Sequence, residues 1–280
     1  MKRMLLGNDA IALGAFMAGV TVATGYPGTP STEILERFAE YPGVYAEWSP
    51  NEKVAMEVGM GAAMAGARTM VTMKHVGLNV AADPFFAVAY TGTEAGLVVI
   101  SADDPGMHSS QGEQDNRNYA KFAKVPLLEP SDSQECADMM RLGLEISEQF
   151  DTPVLLRTTT RVSHAQSLVE VAAEQIQRGS VRRPATAEGG SVGRPATAEG
   201  RPATAELLAF KRDPAKYVML PANARQRRLV MEERLAKLQD YVETTPLNFI
   251  RWGDRSLGIV TSSIAYVYAR EVFPNASFLK

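Results

Sequence analysis

A chain of 280 residues, 45% hydrophobic and 22% charged, is long enough for one large domain or two ordinary ones and has the balance of a folded protein. Its net charge of -3 excludes a broad basic footprint for nucleic acid or anionic lipid, and no apolar run approaches the ~20 residues of a membrane span. Cys136 is the single cysteine, so the chain supplies neither an internal disulfide nor a four-thiolate iron–sulfur or zinc centre. The N-terminus opens like a signal n-region. Asn8 and Asp9 then cut the apolar stretch short of the ~7 to 15 residues of an h-region, and a cytoplasmic protein is expected.

Strand-like apolar runs fall at 20–23, 44–48, 69–73, 97–101, 126–128 and 154–158. Segments with helical spacing, 34–39, 53–67 and 136–146, lie between them. This alternation predicts an α/β fold, a doubly wound, mostly parallel sheet covered on both faces, over residues 1–167. Such sheets place ligands at the carboxyl ends of their strands, so residues 1–167 are expected to form one wall of a cofactor site. Arg-Pro-Ala-Thr-Ala-Glu then recurs at 183–188, 194–199 and 201–206 with an irregular period and no large apolar residue, which predicts a flexible insertion over 178–206. Within 207–280 a charged helix (229–241), a strand (257–261) and a helix (264–272) follow. A lone β-α unit cannot bury both faces, so this end reads as the truncated start of a second α/β domain.

Four strand-end loops carry the candidate chemistry. In the first, Gly25 to Thr32, Thr29 is a candidate N-cap with Pro30 at the first helical position; equally, the backbone around Gly28 and the Thr29 hydroxyl can face an anion. In the second, Ser49-x-x-Glu52 spells a capping box, while Glu52 also stands before an apolar, small-residue helix where a carboxylate in a cleft can hold a proton; Glu57 is its competitor on the same helix. The glycines at 59, 61 and 66 fail a dinucleotide fingerprint, since Met64 takes the third position within a helix, which argues against a nicotinamide enzyme. The third loop releases Lys74 and His75 ahead of Gly77, and the fourth, 101–117, holds His108, several carboxylates and Arg117, a side chain suited to grip a carboxylate. Each admits an ordinary reading as a satisfied structural group or a solvated loop. No cluster has the spacing of a metal site.

Taken together and in this order, Gly25-Tyr26-Pro27-Gly28-Thr29-Pro30-Ser31-Thr32, Asn51-Glu52-Lys53-Val54-Ala55, Met73-Lys74-His75-Val76-Gly77-Leu78-Asn79 and Asp104-Pro105-Gly106-Met107-His108-Ser109-Ser110-Gln111 resemble the 2-oxoacid:ferredoxin oxidoreductases. More narrowly, they look like the N-terminal, pyrimidine-binding domain of the indolepyruvate-type alpha subunits. The likeness covers residues 1 to about 164 and resumes over 210–280. The resemblance implies thiamine diphosphate held between this domain and a diphosphate-binding domain that brings Mg2+. It also implies an arylpyruvate substrate, coenzyme A, ferredoxin as electron acceptor, and a beta subunit or the remaining alpha-subunit domains as partners. Glu52 matches the family glutamate that hydrogen-bonds the aminopyrimidine, with Gly28, Thr29, His75 and Gly77 around the cofactor. Thr29 matches the loop near the substrate carboxylate and Arg117 a substrate-binding arginine, in a loop that departs from the family's pyruvate enzymes; Lys74, His75 and His108, from their strand-end and loop positions, are the further substrate-side candidates. No Gly-Asp-Gly metal motif and no cysteine-rich tail occur in the sequence, so the chain is expected to be incomplete as an enzyme, with iron–sulfur clusters on other parts. The competing expectation is a non-catalytic interaction module from a split or broken subunit.

Overall fold

The computed structural model describes residues 2–171, 210 and 212–280. The expected insertion at 178–206 lies outside the described residues. The elements of the first part are β1 (Lys2–Leu6), α1 (Gly7–Met17), β2 (Val22–Gly25), α2 (Thr32–Ala39), β3 (Tyr45–Trp48), α3 (Glu52–Met64), β4 (Thr69–Lys74), α4 (His75–Val80), α5 (Ala82–Thr91) and β5 (Leu97–Asp103). Then come α6 (Arg117–Ala123), β6 (Leu127–Leu128), α7 (Ser133–Phe150), β7 (Val154–Thr159), α8 (Thr160–His164) and β8 (Gln166–Glu170).

Six of these strands form one sheet in the order β3-β2-β4-β5-β7-β6, every pairing parallel. Strands β5 and β7 are buried along their whole length, which is why each opens with an unbroken apolar run, Leu97–Ile100 and Val154–Leu156. Successive side chains feed opposite cores. Val98, Ile100, Val154 and Leu156 pack with α1, α2 and α7, while Leu97, Val99 and Leu155 pack with α3, α4, α5 and α6. Both faces are therefore covered, as a doubly wound sheet requires.

Helix α1 was not apparent in the sequence. It is buried almost all round, so it lacks the one-sided period that marks an amphipathic helix. A Cβ on Gly14 would stand 2.5 Å from the Ala137 carbonyl oxygen, and the missing side chain is what lets α1 lie directly on α7. Strand β1 pairs antiparallel with β8, Lys2 opposite Glu170, in a separate ribbon.

The C-terminal part comprises α9 (Pro214–Tyr217), α10 (Pro221–Thr244), β9 (Ile250–Arg251), β10 (Asp254–Val260), α11 (Ser263–Val272) and β11 (Ala276–Leu279). Here β11 lies between parallel β10 and antiparallel β9, and Tyr266 of α11 stacks edge-on against Phe278. Helix α10 lies on the first part through buried Met231 and Leu238, and through Arg227, which pairs with Asp151 at 3.0 Å.

From β2 the chain steps outward to β3, then crosses back to β4 on the other side of β2. The carboxyl ends of β2 and β4 thus form the switch point of the sheet, where the loops after them diverge and leave a crevice. No helix among the described residues is long and apolar enough to cross a membrane.

Candidate functional site

All four candidate loops meet at that switch point. After β2, the Gly28 N–H donates to Thr32 Oγ1 at 2.9 Å, while the Ser31 N–H and hydroxyl both donate to the Gly28 carbonyl at 2.8 Å. Helix α2 therefore begins at Thr32 with Ser31 before it, and the expected Thr29 cap does not form. Thr29 is left exposed in the loop, its carbonyl accepting from Ser109 Oγ at 3.4 Å. Gly28 presses on the neighbouring loop: a Cβ there would stand 3.1 Å from Lys74 Cβ.

The capping box at Ser49 is likewise replaced. Asn51 caps α3, its side chain accepting the Val54 N–H at 2.9 Å. The Ser49 N–H donates instead to the Gly25 carbonyl at 2.9 Å, and its buried hydroxyl has no partner. Glu52 is thereby released from the helix end and lies over α4. A Cβ on Gly77 would come within 2.6 Å of Glu52 Oε1 and 2.7 Å of its Cγ, so the carboxylate occupies the space that glycine leaves. Among the described residues Glu52 forms no ion pair and its side chain no hydrogen bond. Its competitor Glu57 is exposed on the outer side of α3, 3.9 Å from Lys53.

At the end of β4, Lys74 Nζ donates to the Ser109 carbonyl at 3.0 Å. His75 is fully buried, with Nε2 3.1 Å from the Gly112 carbonyl oxygen. A carbonyl only accepts, so Nε2 is the donor, and Nδ1 is buried without a partner. Both contacts fold the long loop between β5 and α6 back over the β4 end. His108 is exposed at the tip of that loop. Arg117, the first residue of α6, is turned to Asp115 in a bidentate pair, Nε to Oδ1 at 2.9 Å and Nη2 to Oδ2 at 2.6 Å.

The loop is rooted in buried charge. Burial raises Asp104, but the hydroxyls of Ser110 and Thr160 and the amides of Ser109 and His108 all donate to it and together hold its carboxyl well below the usual range. Beneath it Asp103 is pushed up by burial, an effect that Arg157 and the Asn116 amide only partly offset. Arg157 Nε donates to Asp103 Oδ2 at 2.7 Å and its Nη1 to Glu129 Oε1 at 2.5 Å.

The structure thus brings together Gly28 with Lys74, Thr29 with the 104–116 loop, Glu52 with Gly77, and His75 with Gly112, while His108 is exposed in its loop and Arg117 exposed at the start of α6. Asn116, Asp103 and Arg157 were missed by motif reading. The available signal was one charge, Arg157, inside the otherwise uncharged strand Val154–Thr159. Among the described residues no group of three or more His, Cys, Asp or Glu is gathered as for a metal ion.

Residues 13–227 match the family model described as "Pyruvate flavodoxin/ferredoxin oxidoreductase, thiamine diP-bdg". The chain is 42% identical over 281 residues to the indolepyruvate oxidoreductase subunit IorA of Archaeoglobus fulgidus, covering 98% of this chain and 41% of that protein. It is 46% identical over 272 residues to the subunit of the same name from Methanothermobacter marburgensis, covering 95% and 40%. The chain therefore spans about two fifths of the length of these relatives. Among solved structures, 2-oxoglutarate:ferredoxin oxidoreductase from Magnetococcus marinus superposes with a TM-score of 0.73 at 16% identity, over 99% of this chain and 53% of that one, a likeness of fold.

Proposed function

The chain belongs to the pyruvate flavodoxin/ferredoxin oxidoreductase family, and on that premise we propose that it supplies the aminopyrimidine side of a thiamine diphosphate site in a cytoplasmic 2-oxoacid:ferredoxin oxidoreductase. The observation that carries this reading is Glu52, a half-buried carboxylate at the sheet's switch point, unpartnered among the described residues, over a glycine that leaves it room. A ring bearing N–H donors fits that setting, because it would give the Glu52 carboxylate the partner it lacks.

When bound, thiamine diphosphate supplies a nucleophilic carbon and an electron sink for decarboxylating a 2-oxoacid. The chain's own part is to hold and orient. Glu52 accepts a hydrogen bond from the aminopyrimidine and keeps a proton on its ring nitrogen, Gly28 and Gly77 let the backbone come close, and His75 closes the floor. Thr29 and Lys74, on the neighbouring loops after β2 and β4, are assigned to hold the substrate carboxylate in this reading. Arg117 and His108 join them only after rearrangement, Arg117 by exchanging Asp115 for the substrate.

The substrate is proposed to be an arylpyruvate such as indolepyruvate, following the printed names of the IorA relatives. Coenzyme A, ferredoxin, Mg2+ with a diphosphate-binding domain, iron–sulfur clusters and a beta subunit belong to the rest of the enzyme in this reading. In the assembled enzyme Glu52→Gln is expected to lower indolepyruvate- and coenzyme A-dependent viologen reduction by ~10²-fold or more, the usual scale for losing a proton-holding group. Full activity in that variant, with circular dichroism unchanged, overturns the assignment.

A further inference from the structure

The buried charges beneath the site form a continuous chain. Arg157, 8% exposed at the carboxyl end of β7, lies between the carboxylates of Asp103 and Glu129. The same Asp103 oxygen that takes the guanidinium also accepts the Asn116 N–H at 3.0 Å, where the long loop returns to the sheet. Asn116, itself fully buried, donates from its side chain to the His75 carbonyl at 3.0 Å and to Ser101 Oγ at 2.7 Å. His75 opens α4, the helix whose Gly77 faces Glu52. At the other end Glu129 Oε2 accepts from Ser262, in the turn between β10 and α11, at 2.9 Å.

Stability is a poor reason for such an arrangement. Desolvating an arginine and a carboxylate costs about as much as their attraction returns, and well-packed apolar side chains serve a core equally well. What the ion pair does provide is direction. The planar guanidinium holds the Asp103 carboxylate in one orientation, and that carboxylate receives the loop.

We propose that Arg157 is a positioning residue of the site: by holding Asp103 against the Asn116 amide, it fixes the 104–116 loop and the first turn of α4, on which Gly77 meets the Glu52 carboxylate. The role rests on reading Glu52 as the cofactor's partner. It predicts that disturbance at β7 is felt at α4, across the sheet from Arg157, through Asn116 and with no contact between Arg157 and Glu52.

The test uses the full-length subunit assembled with its partners, comparing Arg157→Met, Arg157→Lys and Asn116→Ala with the parent. Arg157→Met is expected to speed amide hydrogen exchange at Asn116 and over residues 75–78 about ten-fold or more, the scale of one charge-assisted hydrogen bond. The KM for thiamine diphosphate should rise by a similar factor, with kcat changing less. Arg157→Lys, which keeps the charge and one carboxylate bond, should recover part of both effects. Should Arg157→Met fail to fold, Arg157→Lys alone reads the link, and Asn116→Ala, which removes the side-chain bond to the His75 carbonyl and leaves the ion pairs alone, marks the exchange change at 75–78 expected when that bond is lost. Unchanged exchange at 75–78 in the folded variants, or a rise spread evenly over β5 and β7, overturns the positioning role. A fully active Glu52→Gln enzyme with altered exchange at α4 overturns only the cofactor reading.

Discussion

Gly77→Ala separates the two roles that a glycine under Glu52 can have. Gly77 lies inside α4 with ordinary helical backbone, so alanine gains about 0.5–1 kcal/mol of helix propensity. The added Cβ would stand 2.6 Å from Glu52 Oε1 and 2.7 Å from Cγ, closer than real Cβ contacts come. Glu52 is half-buried and has room to swing aside, at about 0.5–1.5 kcal/mol for a displaced rotamer. The two terms nearly cancel, and the unfolding free energy should move by no more than about 1 kcal/mol. Binding has no such compensation. With the carboxylate displaced, one hydrogen bond between charged and polar groups is lost, about 1.5–3 kcal/mol, or roughly ten- to a hundred-fold in thiamine diphosphate affinity. Thermal denaturation and cofactor titration of the assembled enzyme read the two quantities. In a Glu52→Ala background the same substitution should simply stabilise, with no further loss of affinity. Parental affinity in Gly77→Ala, together with the full helix gain, would refute the reasoning, because Glu52 would then not occupy the space over Gly77.

Gly92→Ala should be costly for a different reason: Gly92 follows α5 at φ 68 and ψ -164, a region reserved for glycine, and its Cβ would fall 2.0 Å from Asp151 Oδ1. A loss of about 2–4 kcal/mol is expected from the denaturant midpoint, and an unmoved midpoint would contradict the geometry. Asp104 contributes to acid sensitivity. Its folded pKa is depressed, so its contribution is complete above the ordinary carboxyl value near 4 and is withdrawn as pH falls below it. The stability gap between the parent and Asp104→Asn should be widest near neutral pH and shrink below about pH 4, and a constant gap between neutral pH and pH 3 would count against the hydrogen bonds assigned to it.

The sheet could be read in advance because burial on both faces leaves its mark in composition: the first halves of β5 and β7, Leu97–Ile100 and Val154–Leu156, are wholly apolar. Helix α1 hid for the same physical reason, since a helix buried all round has no polar face to set its period. Arg157 hid differently. Its meaning depends on Asp103, which is brought beside it only by the pairing of β5 with β7, and nothing local announces that register. Arg117 shows the converse error, because a guanidinium that looks available in the sequence is taken up by Asp115 two positions earlier. Glu52 is the sharpest case. Ser49 and Asn51 are both good helix caps, and with Ser49 as the cap Glu52 would be a structural carboxylate bonded back to its own helix start. The outcome is decided outside the motif, where the Ser49 N–H is committed to the Gly25 carbonyl as β2 and β3 run on in parallel register past Gly25 and Trp48. With that N–H taken, the reciprocal half of the box cannot form, Asn51 becomes the cap, and the carboxylate turns to Gly77. The freedom of the candidate catalytic group is therefore a consequence of strand pairing.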